Sequence, residues 1–208
     1  MFWRSRAFSE YSASVRTFFG TLTIAPENDA LLDALARIEL CEKGTDFDTL
    51  TDAERFRVRC TVGGREITKY LKRVREGEKD RSYRDAFRYL FIAEPHQSDA
   101  SSSLKKGRPH WHCLVHETDI ARPLVLPHEF AVNSNGEPIT DKYGNAFLSD
   151  TAFLKRQWKM GYSRFMLCQT PTAATYTTKY LTKEDTQVRI RASGNYGNGG
   201  SRDGVVVT

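Results

Sequence analysis

The sequence predicts an α+β protein built on a compact antiparallel sheet, and two observations carry this prediction. Short runs rich in aromatic and β-branched residues alternate with longer segments in which apolar residues recur at helical spacing. Several of the predicted strands are short, and antiparallel pairing is expected for the two strands joined by the loop 95–109. The chain of 208 residues is long enough to bury one core, so one domain is expected.

Four strands are predicted where aromatic and β-branched runs are bounded by turn residues. They are expected at 15–24, 89–93, 110–116 and 164–168. The stretch 122–145 contains several asparagine, glycine and proline residues and predicts an inserted loop or hairpin. The insertion is therefore expected between the third and the fourth strand.

Helices are predicted where a capping residue precedes apolar residues at helical spacing. A threonine followed three residues later by a glutamate forms a capping box, and a proline directly after a threonine also marks a helix start. Helices are predicted to begin at Asn28, at Thr51 (a short helix), at Asp150 (ending near Gly161) and at Thr170-Pro171 (running to about Lys183). A further helix is predicted at 65–76.

The composition is that of a folded, basic protein. Hydrophobic residues make up 39% of the chain and the formal net charge is +5. Positive charge attracts phosphates and releases their counterions, so a nucleic acid is a candidate partner. The sequence has no apolar run long enough to cross a bilayer, and its first residues lack the apolar stretch of a secretory signal. No membrane association and a cytoplasmic location are therefore expected.

The tripeptide His110-Trp111-His112 carries a pattern typical of metal sites. Residues two apart on a strand point to the same face, so the two histidines are expected side by side while Trp111 faces the core. Two neutral imidazoles at this spacing can share one metal ion. Glu94 ends the preceding strand and reaches the same ion if the two strands pair as a hairpin. This nitrogen and oxygen donor set, with no thiolate well placed, favours Mg²⁺ or Mn²⁺ over zinc.

An alternative interpretation of the histidine pair is structural. A histidine-x-histidine pattern also arises by chance, and each imidazole can be a hydrogen-bonded surface group. His116 shares the predicted face but lies one full pleat further along the strand, so it is left outside the ligand set.

The segment 175–183 (TYTTKYLTK) predicts a helix with two tyrosines on one face. Tyr176 and Tyr180 stand at i and i+4, and Lys179 and Lys183 each follow one tyrosine three residues later. A phenol with a pKa of about 10 is a poor nucleophile at neutral pH. It needs a positive surrounding for its phenolate and a metal ion at the phosphate before it attacks a phosphodiester. The alternative is an aromatic ridge that packs against the sheet.

Basic residues on the predicted helix 65–76 are candidate DNA contacts. They surround its apolar stripe, an arrangement typical of a solvated helix surface that also suits one or two phosphate contacts. A further candidate precedes the histidine pair. The candidate DNA-binding residues are Lys69, Lys72, Arg73 and Arg108.

Three motifs occur in a fixed order: 18–23 (FFGTLT), 107–112 (GRPHWH) and 176–183 (YTTKYLTK). Together they resemble the first-strand, histidine-hydrophobic-histidine and paired-tyrosine motifs of the HUH endonucleases. The specific resemblance is to the rolling-circle replication initiators of small single-stranded DNA phages (microviruses). The likeness extends from Trp3 to about Gly197. The paired-tyrosine motif is the most specific of the three.

The resemblance implies a ferredoxin-like or RRM-like antiparallel sheet flanked by helices, with the tyrosine helix across it near the metal site. The endonuclease domain would span 1–193, and the glycine-rich residues 194–208 would form a mobile tail. The resemblance further implies that one tyrosine nicks single-stranded origin DNA and keeps the 5′ phosphate as an ester. The released 3′-hydroxyl primes synthesis, and the second tyrosine acts in rejoining the strand.

The same resemblance implies a role for each site residue. Glu94, His110 and His112 would be ligands of Mg²⁺ or Mn²⁺, both tyrosines would be nucleophiles, and Lys179 or Lys183 would contact the scissile phosphate. The sequence contains no GxxxxGK phosphate-binding loop, so a separate helicase and polymerase of a bacterial host cell are expected partners.

Three other functions explain part of these observations. Another HUH enzyme, such as a plasmid initiator, relaxase or transposase, is one alternative, and plasmid initiators and transposases typically use one tyrosine. A non-catalytic single-strand-binding module explains the charge and the aromatic residues but leaves Glu94 and the two histidines without a role. A metal-dependent hydrolase would use water as its nucleophile. Covalent capture of DNA separates the initiator from the last two functions.

Overall fold

The computed structural model describes residues 2–78, 82–95, 108–178 and 190–198. The loop between the second and third predicted strands falls mostly outside these ranges, as does the second half of the predicted tyrosine helix. The helices and strands are α1 Phe2–Ala13, β1 Arg16–Ile24, α2 Asp29–Cys41, α3 Asp52–Glu76, β2 Phe87–Pro95, β3 Pro109–Glu117, β4 Ala146–Phe147, α4 Phe153–Arg156, β5 Gly161–Leu167, α5 Thr172–Thr178 and β6 Ile190–Ala192.

The strands form one sheet in the order β4-β5-β1-β3-β2-β6. Every pair of neighbours is antiparallel. The four central strands, β5-β1-β3-β2, have the split β-α-β arrangement of ferredoxin-like folds, in which β3 lies between β1 and β2 and helices connect those two strands. The predicted α+β fold with an antiparallel sheet flanked by helices is confirmed, and β2 and β3 pair directly, as an ion shared by Glu94 and the histidines requires.

The two faces of the sheet have separate cores. On β1, Phe18 and Leu22 point into a large core that includes residues of α2 and α3. The opposite face carries a smaller cluster in which Ala7 of α1 packs with Leu114 and Tyr196. Because side chains alternate along each strand, the histidines of β3 lie on the face with the smaller core.

Helix α3 is one helix of 25 residues, so the prediction of a short helix at Thr51 and a second one at 65–76 is wrong. The capping box is confirmed: the Glu54 carboxylate accepts from the Thr51 backbone N–H at 2.8 Å. Two adjacent glycines interrupt the apolar pattern in the middle of the helix. A Cβ on Gly63 would lie 2.6 Å from the ring of Trp111, so this glycine permits close packing on β3 and does not end the helix.

The helix predicted from Asp150 onward is shortened to the single turn Phe153–Arg156. Its N-cap position is Ala152, which has no side-chain oxygen to accept a backbone N–H. Trp158 leaves the helix because its indole N–H donates to the carbonyl oxygen of Thr23 on β1 at 3.0 Å. The tertiary contact therefore overrides the helical spacing of the apolar residues.

The insertion predicted at 122–145 contains a meander that extends the β4 edge of the sheet. Gly136 and Gly144 form its two tight turns with φ values of 80° and 82°, which residues other than glycine rarely adopt. Backbone bridges join the residue pairs Phe130 with Leu148, Val132 with Pro138, and Thr140 with Ala146. The prediction of a hairpin in this segment is confirmed.

The two ends of the described chain meet on the sheet, although the sequence predicts neither α1 nor β6. Tyr196 follows β6 and is 1% exposed, within the segment predicted to be a mobile tail. Glu10 of α1 accepts from the backbone N–H of Gly197 at 2.6 Å and pairs with Arg88 of β2 at 2.8 Å. Tyr196 and Gly197 are thus packed, and the part of the predicted tail after residue 198 lies outside the described residues.

Within the described ranges, the helices are either too short or too polar to cross a membrane.

Replacing Gly63 by alanine should lower the free energy of unfolding by about 1–3 kcal/mol because the added methyl group overlaps the buried ring of Trp111. Gly64→Ala is the matched control. No atom of the described residues lies within 4 Å of a Cβ at Gly64, so that variant should gain about 0.5–1 kcal/mol from its higher helix propensity. Urea denaturation of both proteins measures the two changes. Equal shifts would show that the contact with Trp111 does not restrict this position.

Candidate metal centre and tyrosine site

The hairpin of β2 and β3 brings three side chains with metal-binding groups together. Glu94 lies opposite His110 in the register of the two strands, and His112 follows two residues later on the same face of β3. Trp111 points into the large core and is 3% exposed. The structure thus gathers the three residues that the sequence predicts as ligands.

The three donor atoms converge on one point above the strands. Glu94 Oε2 lies 3.0 Å from His112 Nε2 and 3.3 Å from His110 Nε2, and the two imidazole nitrogens are 3.2 Å apart. A single proton can bridge only one of these three pairs. A cation at the centre would satisfy all three lone pairs at once.

The separations within this cluster fit a divalent ion. In an octahedral site with bonds of about 2.1 Å, neighbouring ligand atoms lie about 3.0 Å apart. The three side chains are largely but not completely buried, with 9–15% of each exposed. An ion held by two nitrogens and one oxygen would therefore keep positions open towards solvent. The cluster can hold a metal ion.

Thr21 of β1 contacts the imidazole of His112 at the ring nitrogen that faces away from the cluster. It lies opposite His112 in the register of β1 and β3, and its Oγ1 is 3.2 Å from His112 Nδ1. A hydrogen bond at Nδ1 leaves Nε2 directed at the cluster, as is typical of metal-binding histidines. The sequence analysis assigns Thr21 no such role, because the contact follows only from the register of two strands far apart in sequence.

Tyr176 of α5 lies beside the histidine cluster. Its ring meets the rings of His112 and Phe19 edge-on, with centroid distances of 6.1 and 5.6 Å. Phe19 in turn stacks on His112 at a centroid distance of 5.8 Å. Tyr176 is 43% exposed, so part of its side chain is accessible to solvent beside the cluster.

The helix that carries Tyr176 is supported by other parts of the chain. The side chains of Thr177 and Thr178 are buried, so the helix is fixed on one side while its tyrosine faces the cluster. Helix α1 packs against α5. The N-terminal helix therefore supports the site although it contributes none of the predicted site residues. The predicted nucleophile Tyr180 and the lysines Lys179 and Lys183 lie outside the described residues.

The candidate DNA contacts lie away from the cluster or have structural partners. Lys69 and Lys72 are exposed on α3, which packs on the opposite face of the sheet. Arg73, on the same helix, donates from Nε to a backbone carbonyl of the turn before β5 at 3.0 Å. Arg108 is 7% exposed and forms an ion pair with Asp29 at the start of α2. DNA binding by these four residues stays a prediction.

His116 shares the face of the histidine pair but lies apart from the cluster. It is fully buried, with Thr17 Oγ1 2.9 Å from Nδ1 and the Tyr196 hydroxyl 2.8 Å from Nε2. Burial and the neighbouring Arg88 guanidinium lower the pKa of His116 to about 3, so the ring is neutral at neutral pH. Its two contacts join β1, β3 and the C-terminal segment.

Fold and site together define a ferredoxin-like α+β protein with a candidate histidine-carboxylate metal centre beside a tyrosine helix. Residues 45–185, more than half of the chain, match the family model of the replication-associated protein ORF2. The chain therefore belongs to this rolling-circle Rep-type family. Membership supports a role in replication initiation and implies DNA binding. No curated protein and no solved structure matches the chain.

The matched range includes β2, β3 and α5, and so it contains every candidate ligand and tyrosine. It excludes β1, the strand that carries Thr21 and Phe19. The contacts of His112 with these two residues are therefore established by the structure alone.

Thr21→Val should weaken Mn²⁺ binding about 10- to 100-fold, since valine keeps the shape of threonine but removes the hydroxyl that contacts His112 Nδ1. Titration calorimetry with Mn²⁺ measures the change. Thr21→Ser keeps the hydroxyl and should retain most of the affinity. Wild-type affinity in the valine variant would show that this hydroxyl does not orient the imidazole.

The free energy of unfolding should fall as the pH drops from 6.5 towards 5, in part because of His116. Its pKa is about 3 in the folded protein and 6.5 in the unfolded chain, so in this window only the unfolded chain takes up the proton. This group contributes a slope of up to about 1.4 kcal/mol per pH unit. Denaturation at several pH values should therefore show a shallower dependence in His116→Gln. Parallel curves would contradict the neutral, buried state of this histidine.

Proposed function

We propose that the protein is a rolling-circle replication initiator that nicks single-stranded origin DNA with a tyrosine and keeps the new 5′ end as a phosphotyrosine ester. The observation that carries the proposal is the position of Tyr176, whose ring contacts that of His112 at the edge of the metal-binding cluster. The proposed nucleophile and the candidate metal centre are thus neighbours on one face of the sheet. The family supplies the replication context.

Glu94, His110 and His112 would hold Mg²⁺ or Mn²⁺. A hard divalent ion suits a site that contains a carboxylate and leaves positions open for water or phosphate oxygens. The thiol of Cys113, the nearest on β3, points into the large core and away from the cluster. When bound, such an ion supplies Lewis acidity that draws charge from the scissile phosphate.

Tyr176 would attack the phosphorus through its phenolate oxygen. The new Oη–P bond forms as the P–O3′ bond breaks, and the departing O3′ takes up a proton to become the 3′-hydroxyl primer. Loss of the phenol proton is favoured by positive charge, which Lys179 and Lys183 are placed in the sequence to supply. The ester keeps the energy of the phosphodiester, so rejoining the strand requires no ATP.

Tyr180 would perform the second cleavage. It follows Tyr176 by four residues, the spacing that puts two side chains on one face of a helix. After one round of synthesis, it would cut the regenerated origin. The 3′-hydroxyl freed in that step attacks the first phosphotyrosine ester, which releases a closed circle and restores the first phenol.

With Mn²⁺ and circular single-stranded DNAs that include the cognate origin, the protein should form a covalent DNA adduct visible on a denaturing gel. EDTA should abolish the adduct because the phosphate loses its Lewis acid. Tyr176→Phe should lose the adduct because Tyr176 makes the first cut, and Tyr180→Phe should keep it, whereas the double variant should retain none. Tyr143→Phe is the matched control, since this tyrosine is 67% exposed on the meander and should leave the adduct unchanged.

Three results would contradict the proposed mechanism. Cleavage that leaves a free 5′-phosphate and no adduct would indicate a hydrolase that uses water. Tight binding without cleavage of the cognate origin would indicate a single-strand-binding module. A full adduct in the double variant would assign the nucleophile to another residue.

A further inference from the structure

Strand β5 presents two exposed side chains on the same face of the sheet as the metal-binding cluster. Tyr162 is 65% exposed, and Arg164 is exposed two residues further along the strand. Both belong to the alternating set that points away from the large core, into which Phe165 points.

Tyr162 and Arg164 lie in register with the two histidines of the cluster. Tyr162 pairs with Thr23 of β1, and Thr23 pairs on its other side with His110. Arg164 pairs with Thr21 of β1, and Thr21 pairs on its other side with His112. Neighbouring strands are about 4.8 Å apart, so each β5 residue lies about 10 Å across the sheet from a histidine.

Strand β1 lies between β5 and the cluster. The side chains of β1 that separate Tyr162 and Arg164 from the histidines are the small, partly buried Thr23 and Thr21. Within the described residues, no large side chain of β1 therefore projects from the sheet surface between Tyr162 and Arg164 and the metal-binding cluster.

The chemistry of the two side chains matches a single strand of nucleic acid. An exposed phenol ring can stack on the face of any base, and a guanidinium can bind a phosphate. The Arg164 guanidinium lies over the ring of Phe147 at 4.4 Å, which holds it against β4, on the side of β5 away from the cluster. A base-stacking ring and a phosphate-binding cation thus stand next to each other beside a candidate phosphate-cleaving centre.

We propose that Tyr162 and Arg164 form a platform that binds the origin single strand next to the scissile phosphate. Tyr162 stacks on a base, and Arg164 contacts a phosphate. The platform fixes the strand across the sheet, so that the scissile phosphate meets the cluster and the Tyr176 phenol. This inference rests on the proposed function for the identity of the strand, and it assigns the substrate-positioning residues of that function.

The platform predicts a loss of affinity that needs neither metal nor cleavage. Fluorescence anisotropy with a single-stranded origin oligonucleotide in EDTA should show about 5- to 100-fold weaker binding for Tyr162→Ala, the range typical of one stacked base. Tyr162→Phe should bind like the wild type because it keeps the ring. Arg164→Gln should weaken binding and lower the slope of log K against log salt by about 0.7, the value for one phosphate contact on a single strand.

Matched controls lie elsewhere on the surface. Phe8→Ala removes an exposed aromatic ring from α1. Arg84→Gln removes an exposed cation just before the start of β2, whereas Glu94 lies near the end of that strand. Both should bind the oligonucleotide like the wild type. Equal thermal midpoints for all variants would establish that the exposed substitutions leave the fold intact.

Wild-type affinity in Tyr162→Ala and Arg164→Gln would overturn the platform, as would an equal loss in the two controls. Failure of the proposed function gives a different result. If no tyrosine adduct forms but Tyr162→Ala binds the oligonucleotide more weakly than the wild type, the platform is supported and the nicking reaction is contradicted. If the adduct forms while both platform variants bind normally, the nicking reaction stands and the platform falls.

Discussion

The antiparallel register of β3 with its two neighbours is the constraint on which the site depends. Pairing with β2 places Glu94 opposite His110, and pairing with β1 places Thr21 opposite His112. A slip of one residue in the pairing with β2 would turn Glu94 to the other face and separate the cluster, and a slip in the pairing with β1 would turn Thr21 away from His112. Trp111 opposes such a slip because its ring is buried closely against Gly63 of α3.

The main hydrophobic core and the candidate site lie on opposite faces of the sheet. The large core against α2 and α3 holds the strands together, while the opposite face carries the candidate ligands, Tyr176 and the platform residues. Buried polar groups stabilise that second face. Glu10 is 1% exposed and is satisfied by Arg88 and by the backbone N–H of Gly197. Removing one of these partners would leave a buried carboxylate short of donors, which is costly, so the contacts hold α1 in place next to α5.

Features that depend on local sequence were predictable. The period of two in His110-Trp111-His112 assigns both histidines to one face. The position of Glu94 at the end of the preceding strand makes it a candidate ligand if the two strands pair, as they do. The capping box of Thr51 with Glu54 is likewise local, because its atoms lie within one helical turn.

The errors and omissions concern contacts between distant segments. Gly63 resembles a helix break until Trp111 is seen packed against it. The role of Thr21 requires the register of two distant strands, since its contact with His112 spans 91 positions. Tyr196 lies in a glycine-rich stretch that predicts mobility, yet its hydroxyl meets a buried histidine 80 positions earlier. The chemical roles of the tyrosines follow from the proposed function, whose support is the geometry around Tyr176.

The most direct test of the account is to identify the residue that carries DNA after the reaction. Lys179 separates the two tyrosines, so trypsin places Tyr176 in the peptide 165–179 and Tyr180 in the peptide 180–183. After nuclease trimming of the adduct, mass spectrometry should find a nucleotide joined to one or both of these peptides. Cleaved DNA together with two unmodified tyrosine peptides would contradict the claim that a tyrosine beside the metal-binding cluster is the nucleophile.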